Sequence, residues 1–141
     1  MTKNISCIIK LQIPAGKANP SPPIGPALGQ RGLNIMDFCK LFNSRTSKME
    51  VGIPVSVLVK VFKDKTFDFI VKSPPTTLLI KKFAKIKAGS SNPNIKKVGK
   101  LNSNQIEEIF EIKKNDLTSY SKKSGIKTII GSAKSIGVDV E

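Results

Sequence analysis

IPVSVLVKVFKDKTFDFIV, residues 53–71, reads as two strands joined by a polar turn. Val55, Val57, Val59 and Val61 recur at every second position, and after Lys63 to Lys65 the same period resumes in Phe67, Phe69 and Val71. A strand that buries one face shows this period of two, so the stretch predicts a β-hairpin. Working toward the N-terminus, Ile5, Cys7, Ile9, Leu11 and Ile13 repeat it, with Ser6, Lys10 and Gln12 between them. A third strand is predicted there. Between it and the hairpin, Ile35, Phe38, Cys39 and Phe42 follow i, i+3, i+4, i+7 spacing, with Asn34 and Asp37 placed as an N-cap and its partner, which predicts a helix. Residues 1–72 therefore read as a small α+β domain, sandwich-like, with a three-stranded sheet, a helix and a proline-rich segment.

Working toward the C-terminus, Ser73, Pro74 and Pro75 interrupt the pattern, and a domain boundary is expected there. No alternating run of comparable length follows. Residues 73–141 read instead as three helices: Thr76 to about Lys85, Ser103 to about Asn115, and Ser124 to about Ile136. The middle helix is expected to bury Ile106, Ile109, Phe110 and Ile112, with Asn104 and Glu107 as a capping box. In the last one Ile126, Ile129, Ile130, Ala133 and Ile136 share one arc, leaving Lys127, Thr128, Gly131, Ser132, Lys134 and Ser135 outward.

The chain has 141 residues and a formal net charge of +14, which makes a polyanion the first partner to consider. Of its 24 basic residues only Arg31 and Arg45 are arginine. Lysine meets phosphate as a point charge, whereas bidentate reading of base edges favours arginine, so backbone and shape recognition is expected. There is no histidine, no phosphate-binding GxxxxGK[ST] loop, and Glu107, Glu108 and Glu111 read as a solvated helix surface. An enzyme is not expected. Cys7 and Cys39 lack metal-ligand spacing and read as buried core thiols, so neither metal nor cofactor is expected. No apolar run approaches membrane-spanning length, and the first residues lack signal-peptide features.

Seven lysines, Lys81, Lys82, Lys85, Lys87, Lys96, Lys97 and Lys100, fall in a stretch without a single acid. A solvated face usually mixes signs, so this run reads as a phosphate-binding surface. At its centre Gly89 to Asn94 is a loop of small polar residues that a sugar-phosphate backbone could approach closely. Gly131 costs about 1 kcal/mol relative to Ala in a helix interior, and close approach of a nucleic acid supplies a reason for it. Residues 19–32, with Pro20, Pro22, Pro23 and Pro26, must form a shaped loop or short irregular helix. Prolines lower the entropy lost on binding, so that segment is a second candidate recognition surface.

The stretch KLQIPAGKANPSPPIGPALGQRGLNIMDFCKLF, residues 10–42, resembles the signature of the ribosomal protein L11 family almost without gaps. The likeness continues through SPPTTLLIKKFA at 73–84, the loop and KVGK within 89–100, and GSAKSIG at 131–137. It implies a C-terminal domain that grips a folded piece of large-subunit ribosomal RNA, the GTPase-associated region at the stalk base. It also implies an N-terminal domain facing translational GTPases of the EF-Tu and EF-G type and the stalk proteins L10 and L7/L12. Pro22, Pro23 and Pro26 would line the cleft where thiopeptide antibiotics bind, and Gly131, Ser132 and Ser135 would lie nearest the RNA.

The expected rRNA-binding set is Lys87, Gly89, Ser90, Ser91, Asn92, Pro93, Asn94, Lys96 and Lys97 around the loop, with Lys127, Thr128, Gly131, Ser132, Lys134 and Ser135 on the last helix. Lys3 and Lys40 match positions methylated in many members. Departures are Ser91 for a frequent Gly, Ser132 for a frequent Thr, and Lys122 and Lys123 where members are more acidic. The expected setting is a single copy within the ribosome, in a bacterial cytoplasm or an organelle. The rival reading is a helix-turn-helix DNA-binding protein, against which the last helix offers Lys, Ser and Gly rather than base-reading Arg, Asn or Gln.

Overall fold

In the computed structural model, which describes residues 4–141, the three alternating runs are strands: β1 (Ile5–Pro14), β2 (Pro54–Phe62) and β3 (Phe67–Val71). They form an antiparallel sheet in the order β1-β2-β3, with Ile13 opposite Val55, Leu11 opposite Val57, and Val59 opposite both Ile9 and Phe69. That register puts the odd-numbered residues on one face. Two helices cover it, α1 (Ile24–Gly29) within the proline-rich segment and α2 (Ile35–Arg45).

The core they enclose contains Ile13, Val55, Val57, Val59 and Phe69 from the sheet, Leu28 from α1, and Phe38 and Phe42 from α2. Phe38 meets the Phe69 ring edge-on at 5.3 Å between centroids and Phe67 at 5.8 Å, a favoured aromatic geometry. Arg45, in the last turn of α2, donates to the Phe69 carbonyl at 2.7 Å and lies 4.3 Å over its ring. Asn34 occupies the N-cap position as expected, and its amide donates to Asp37 at 2.6 Å instead of capping the backbone through its oxygen. Cys39 is buried and burial pushes its thiol upward in pKa; Cys7, expected to be buried too, is only partly covered at the end of the core.

Thr46, just past α2, is fully buried. Its hydroxyl accepts from the Gly16 N–H at 3.0 Å and donates to the Phe42 carbonyl at 2.8 Å, tying the end of β1 to α2. Thr46→Val keeps the shape but strands the Gly16 donor. The expected loss is roughly 1–2 kcal/mol of unfolding free energy, read by urea denaturation; no loss would mean that water satisfies Gly16.

The second unit begins at Pro75. It contains α3 (Thr76–Ala84), β4 (Gly99–Leu101), α4 (Ser103–Lys113), α5 (Lys122–Ile136) and β5 (Val138–Val140). Its core joins Leu79 and Ile80 of α3, Ile106 and Ile109 of α4, and Ile129 and Ala133 of α5 to Leu101 and Val138. The three expected helices are present, and a feature without sequence expectation accompanies them: β4 and β5 pair in parallel, Gly99 beside Val138 and Leu101 beside Val140.

Two local expectations are corrected. The capping box of α4 is Asn102 with Gln105, not Asn104 with Glu107; the Gln105 amide oxygen accepts from the Asn102 N–H at 3.0 Å. Ile112 is 45% exposed, because the buried stripe of α4 ends at Ile109 and the half-buried Phe110. Helix α5 also begins two residues early, capped by Ser121, which accepts from the Ser124 N–H. Its Gly125 lets α4 come close, since a Cβ there would overlap the Phe110 ring.

Candidate nucleic-acid interface

After α3 the chain turns through Lys85, whose φ of +56° is left-handed, and runs without regular structure to β4. What shapes this loop is the far end of α5. The Ser90 N–H donates to the Ile136 carbonyl and the Val98 N–H to the Gly137 carbonyl, both at 2.8 Å. Gly137 closes α5 with φ +89°, and a Cβ on it would stand 2.6 Å from Cβ of Ser90 and 3.2 Å from the Lys96 carbonyl. Gly89 is as tight, its Cβ position being 2.5 Å from Cγ2 of Ile136. Only residues without side chains let the loop sit down on the helix end. The loop and the last turns of α5 are therefore one surface.

Within the loop Ser90 and Pro93 are half-buried and serve as its seat, while Gly89, Ser91, Asn92 and Asn94 are exposed. Ser90 Oγ accepts from the Asn92 N–H at 3.1 Å, and the Asn92 carbonyl accepts from Ile95 and Lys96, giving a closed turn. Ile95 at its end is 88% exposed. Ile95 is not among the expected contact residues, though a large aliphatic residue in a polar loop is itself a signal.

Helical geometry of 100° per residue sorts the exposed side of α5 into two rows. Lys123, Lys127 and Lys134 lie along one flank, and Ser124, Thr128, Ser132 and Ser135 along the other, with Gly131 between them. A Cβ built on Gly131 meets nothing within 4 Å. Among the described residues no contact asks for a glycine there. In the hydroxyl row Thr128 donates to the Ser124 carbonyl at 3.0 Å, Ser132 to the Thr128 carbonyl at 3.2 Å and Ser135 to the Ser132 carbonyl at 2.6 Å. Each hydroxyl has one proton, so with it turned back to the helix the oxygen faces outward as an acceptor.

The lysines are not equivalent. The β4–β5 pairing carries Asp139 and Glu141 alongside the basic run, so that Lys97 stands 3.5 Å from Asp139 and Lys100 2.5 Å from Glu141. The hydrogen bond to Glu141 raises the Lys100 pKa. Lys122 reaches Glu107 of α4 at 3.3 Å. Lys87, Lys96, Lys127 and Lys134 are exposed on the surface shared by loop and helix. Such cations lower the potential of any polyanion that meets the small-residue strip between them.

In the first unit, Asn43 of α2 fixes the start of the proline-rich segment. Its side-chain oxygen accepts from the Ala18 N–H at 3.0 Å, and its amide donates back to the Ala18 carbonyl at 3.5 Å. Ile24, Leu28 and Leu33 anchor the rest in the core, and a Cβ on Gly25 would strike the Pro20 carbonyl. Pro22, Pro23 and Pro26 are left exposed on this anchored frame. Lys40 is exposed at the rim of a depression of about 560 Å³ with Asp37 and Leu41, whereas Lys3 lies outside the described residues. Among the described residues no group of His, Cys, Asp or Glu could hold a metal ion, and no helix is long and apolar enough to cross a membrane.

Two family models match the chain. Residues 9–67 match the one described as ribosomal protein L11, N-terminal domain, and residues 72–140 the one described as ribosomal protein L11, RNA binding domain.

Proposed function

The chain belongs to the ribosomal protein L11 family, and on that premise we propose that it holds the stalk-base region of large-subunit rRNA with the loop 87–97 and the exposed face of α5. The family is one of structural, non-enzymatic ribosomal proteins, and its RNA-binding domain covers the second unit. The observation that carries the finer reading is Gly131, whose Cβ position is open, on the outward side of α5 beside the lysine row that the loop extends. Neither match supports the DNA-binding alternative.

The chemistry of the two rows supports a division of labour. Lysines at 87, 96, 127 and 134 neutralise phosphates that RNA folding has crowded together. Thr128, Ser132 and Ser135 face the partner as acceptors, which repel phosphate oxygens but suit the 2′-hydroxyl of ribose, a donor that DNA lacks. Ser132 thus does what a threonine would do at that position. Contour is admitted at Gly131 and charge is met beside it.

In the same proposal the N-terminal unit faces the translational GTPases of the EF-Tu and EF-G type and the stalk proteins L10 and L7/L12. Pro22, Pro23 and Pro26, rigid and exposed on a segment anchored by Asn43, suit a surface that must keep its shape as partners come and go. Lys40 is offered to a methyltransferase by its exposure. The protein would work in the ribosome of a bacterial cytoplasm or an organelle.

Lys96→Ala tests the phosphate part. It is expected to weaken binding to a stalk-base rRNA transcript and to lower the slope of log affinity against log salt by about 1, with thermal unfolding unchanged. An unaltered slope would remove Lys96 from the contact.

A further inference from the structure

The sheet of the N-terminal unit has a second face, and α1 and α2 lie on the other. Register places Gln12, Ser56 and Lys72 in one row across the three strands, the Lys72 N–H extending the ladder by donating to the Ser56 carbonyl at 2.8 Å. The next row is Lys10, Leu58 and Ile70, and the one after it Ile8, Lys60 and Asp68. Lys10, Gln12, Ser56, Leu58 and Lys72 line a depression of about 340 Å³. No acid lines it. Lys60 differs, because it stands directly opposite Asp68.

We propose that this open sheet face is a second RNA-backbone site, in which Lys10 and Lys72 take phosphates and Gln12 and Ser56 donate hydrogen bonds between them. Lys10 and Lys72 lie on the two outer strands and one row apart, so strand spacing puts their backbones about 12 Å from each other across Ser56 and Leu58 of β2, and their long side chains can meet neighbouring phosphates or converge on one. Lys10, Gln12 and Lys72 are exposed, so no packing inside the protein explains two cations at the mouth of a shallow depression. Two ammonium groups with no acid beside them call for anionic acceptors, and a sugar-phosphate chain supplies these at regular intervals. Ile8 and Ile70 are roughly half exposed, 53% and 45%, in other positions of the face, as single aliphatic residues often are. The inference rests on the rRNA reading of this chain and adds a contact outside the domain named for RNA binding.

The test uses the full chain and a transcript of the stalk-base rRNA. The double variant Lys10→Ala, Lys72→Ala is expected to bind about tenfold more weakly, with the log–log salt slope smaller by about 1.5 and with unfolding unchanged. Lys60→Ala, opposite Asp68, should leave both within twofold. If the double variant keeps wild-type affinity and slope while Lys96→Ala and Gly131→Val still weaken binding, the sheet-face site is wrong and the rRNA reading stands. Loss of polyglutamate binding by the double variant with rRNA binding intact would also overturn it, in favour of an acidic protein. If no variant alters rRNA binding, the proposed function itself falls.

Discussion

Gly131→Val is expected to bind the stalk-base rRNA about a hundredfold more weakly than the wild-type chain, while its resistance to denaturant stays the same or rises slightly. Gly131 sits inside α5 with nothing within 4 Å of the position its Cβ would take. Valine is a better helix former than glycine by a few tenths of a kcal/mol, so the fold has no reason to suffer. An RNA surface packed against the bare backbone does: two methyl groups would hold the strands off and break the contacts on either side. A hundredfold loss corresponds to about 2.7 kcal/mol of binding free energy. Gly131→Ala should fall between the two in affinity and be the most stable of the three. Measured together by filter binding and urea unfolding, equal losses in affinity and stability would show that Gly131 serves the fold and not the contact.

Gly137→Val is expected to have a different signature and to lose both affinity and stability. The backbone there holds φ +89°, which a β-branched residue adopts only with strain, and the added Cβ would press on Cβ of Ser90 and on the Lys96 carbonyl. Strain and overpacking together are expected to take about 2–4 kcal/mol from the C-terminal unit. Because the loop is seated on this residue, its turn comes away from α5 and the RNA surface is split. Hydrogen exchange at the Ser90 and Val98 amides, which donate to the Ile136 and Gly137 carbonyls, reports that step directly. Protection of both amides equal to the wild type would mean that the loop is held by something else.

The two glycines also mark how far the sequence could be read. Strands around Val55 to Val71 declare themselves because one face is covered and the other open, which forces alternation. Parallel pairing of Gly99–Leu101 with Val138–Val140 leaves no such trace: three residues are too few to alternate, and the partners lie far apart in the chain. That omission hid the Lys97–Asp139 and Lys100–Glu141 pairs, so a run free of acids in sequence is only partly free of them in space. Asn102 and Asn104 offer the same capping chemistry two residues apart, and only the backbone decides for Asn102.

At the candidate site the outward arc of α5 was legible from its wheel, as was Gly131. The joining of loop and helix was not, since it depends on Gly89 and Gly137 meeting Ile136 and Ser90 across the fold. Nor was the direction of the hydroxyl protons, which follows from helix carbonyls being within reach of Thr128, Ser132 and Ser135. Prolines in residues 19–32 allow either a loop or a short irregular helix; α1, six residues long with Ile24 and Leu28 buried, is the second.

One titration goes to the centre of the matter: affinity of the full chain for a stalk-base rRNA transcript between about 50 and 200 mM salt, beside duplex DNA of equal length. Lysines that meet phosphate and hydroxyls that accept from ribose require saturable RNA binding with a slope of several phosphates and a preference over DNA of tenfold or more, on the order of 1.4 kcal/mol. Equal hold on both nucleic acids, or none on the RNA at the lowest salt, would mean that the face of α5 and its seated loop are not an rRNA surface.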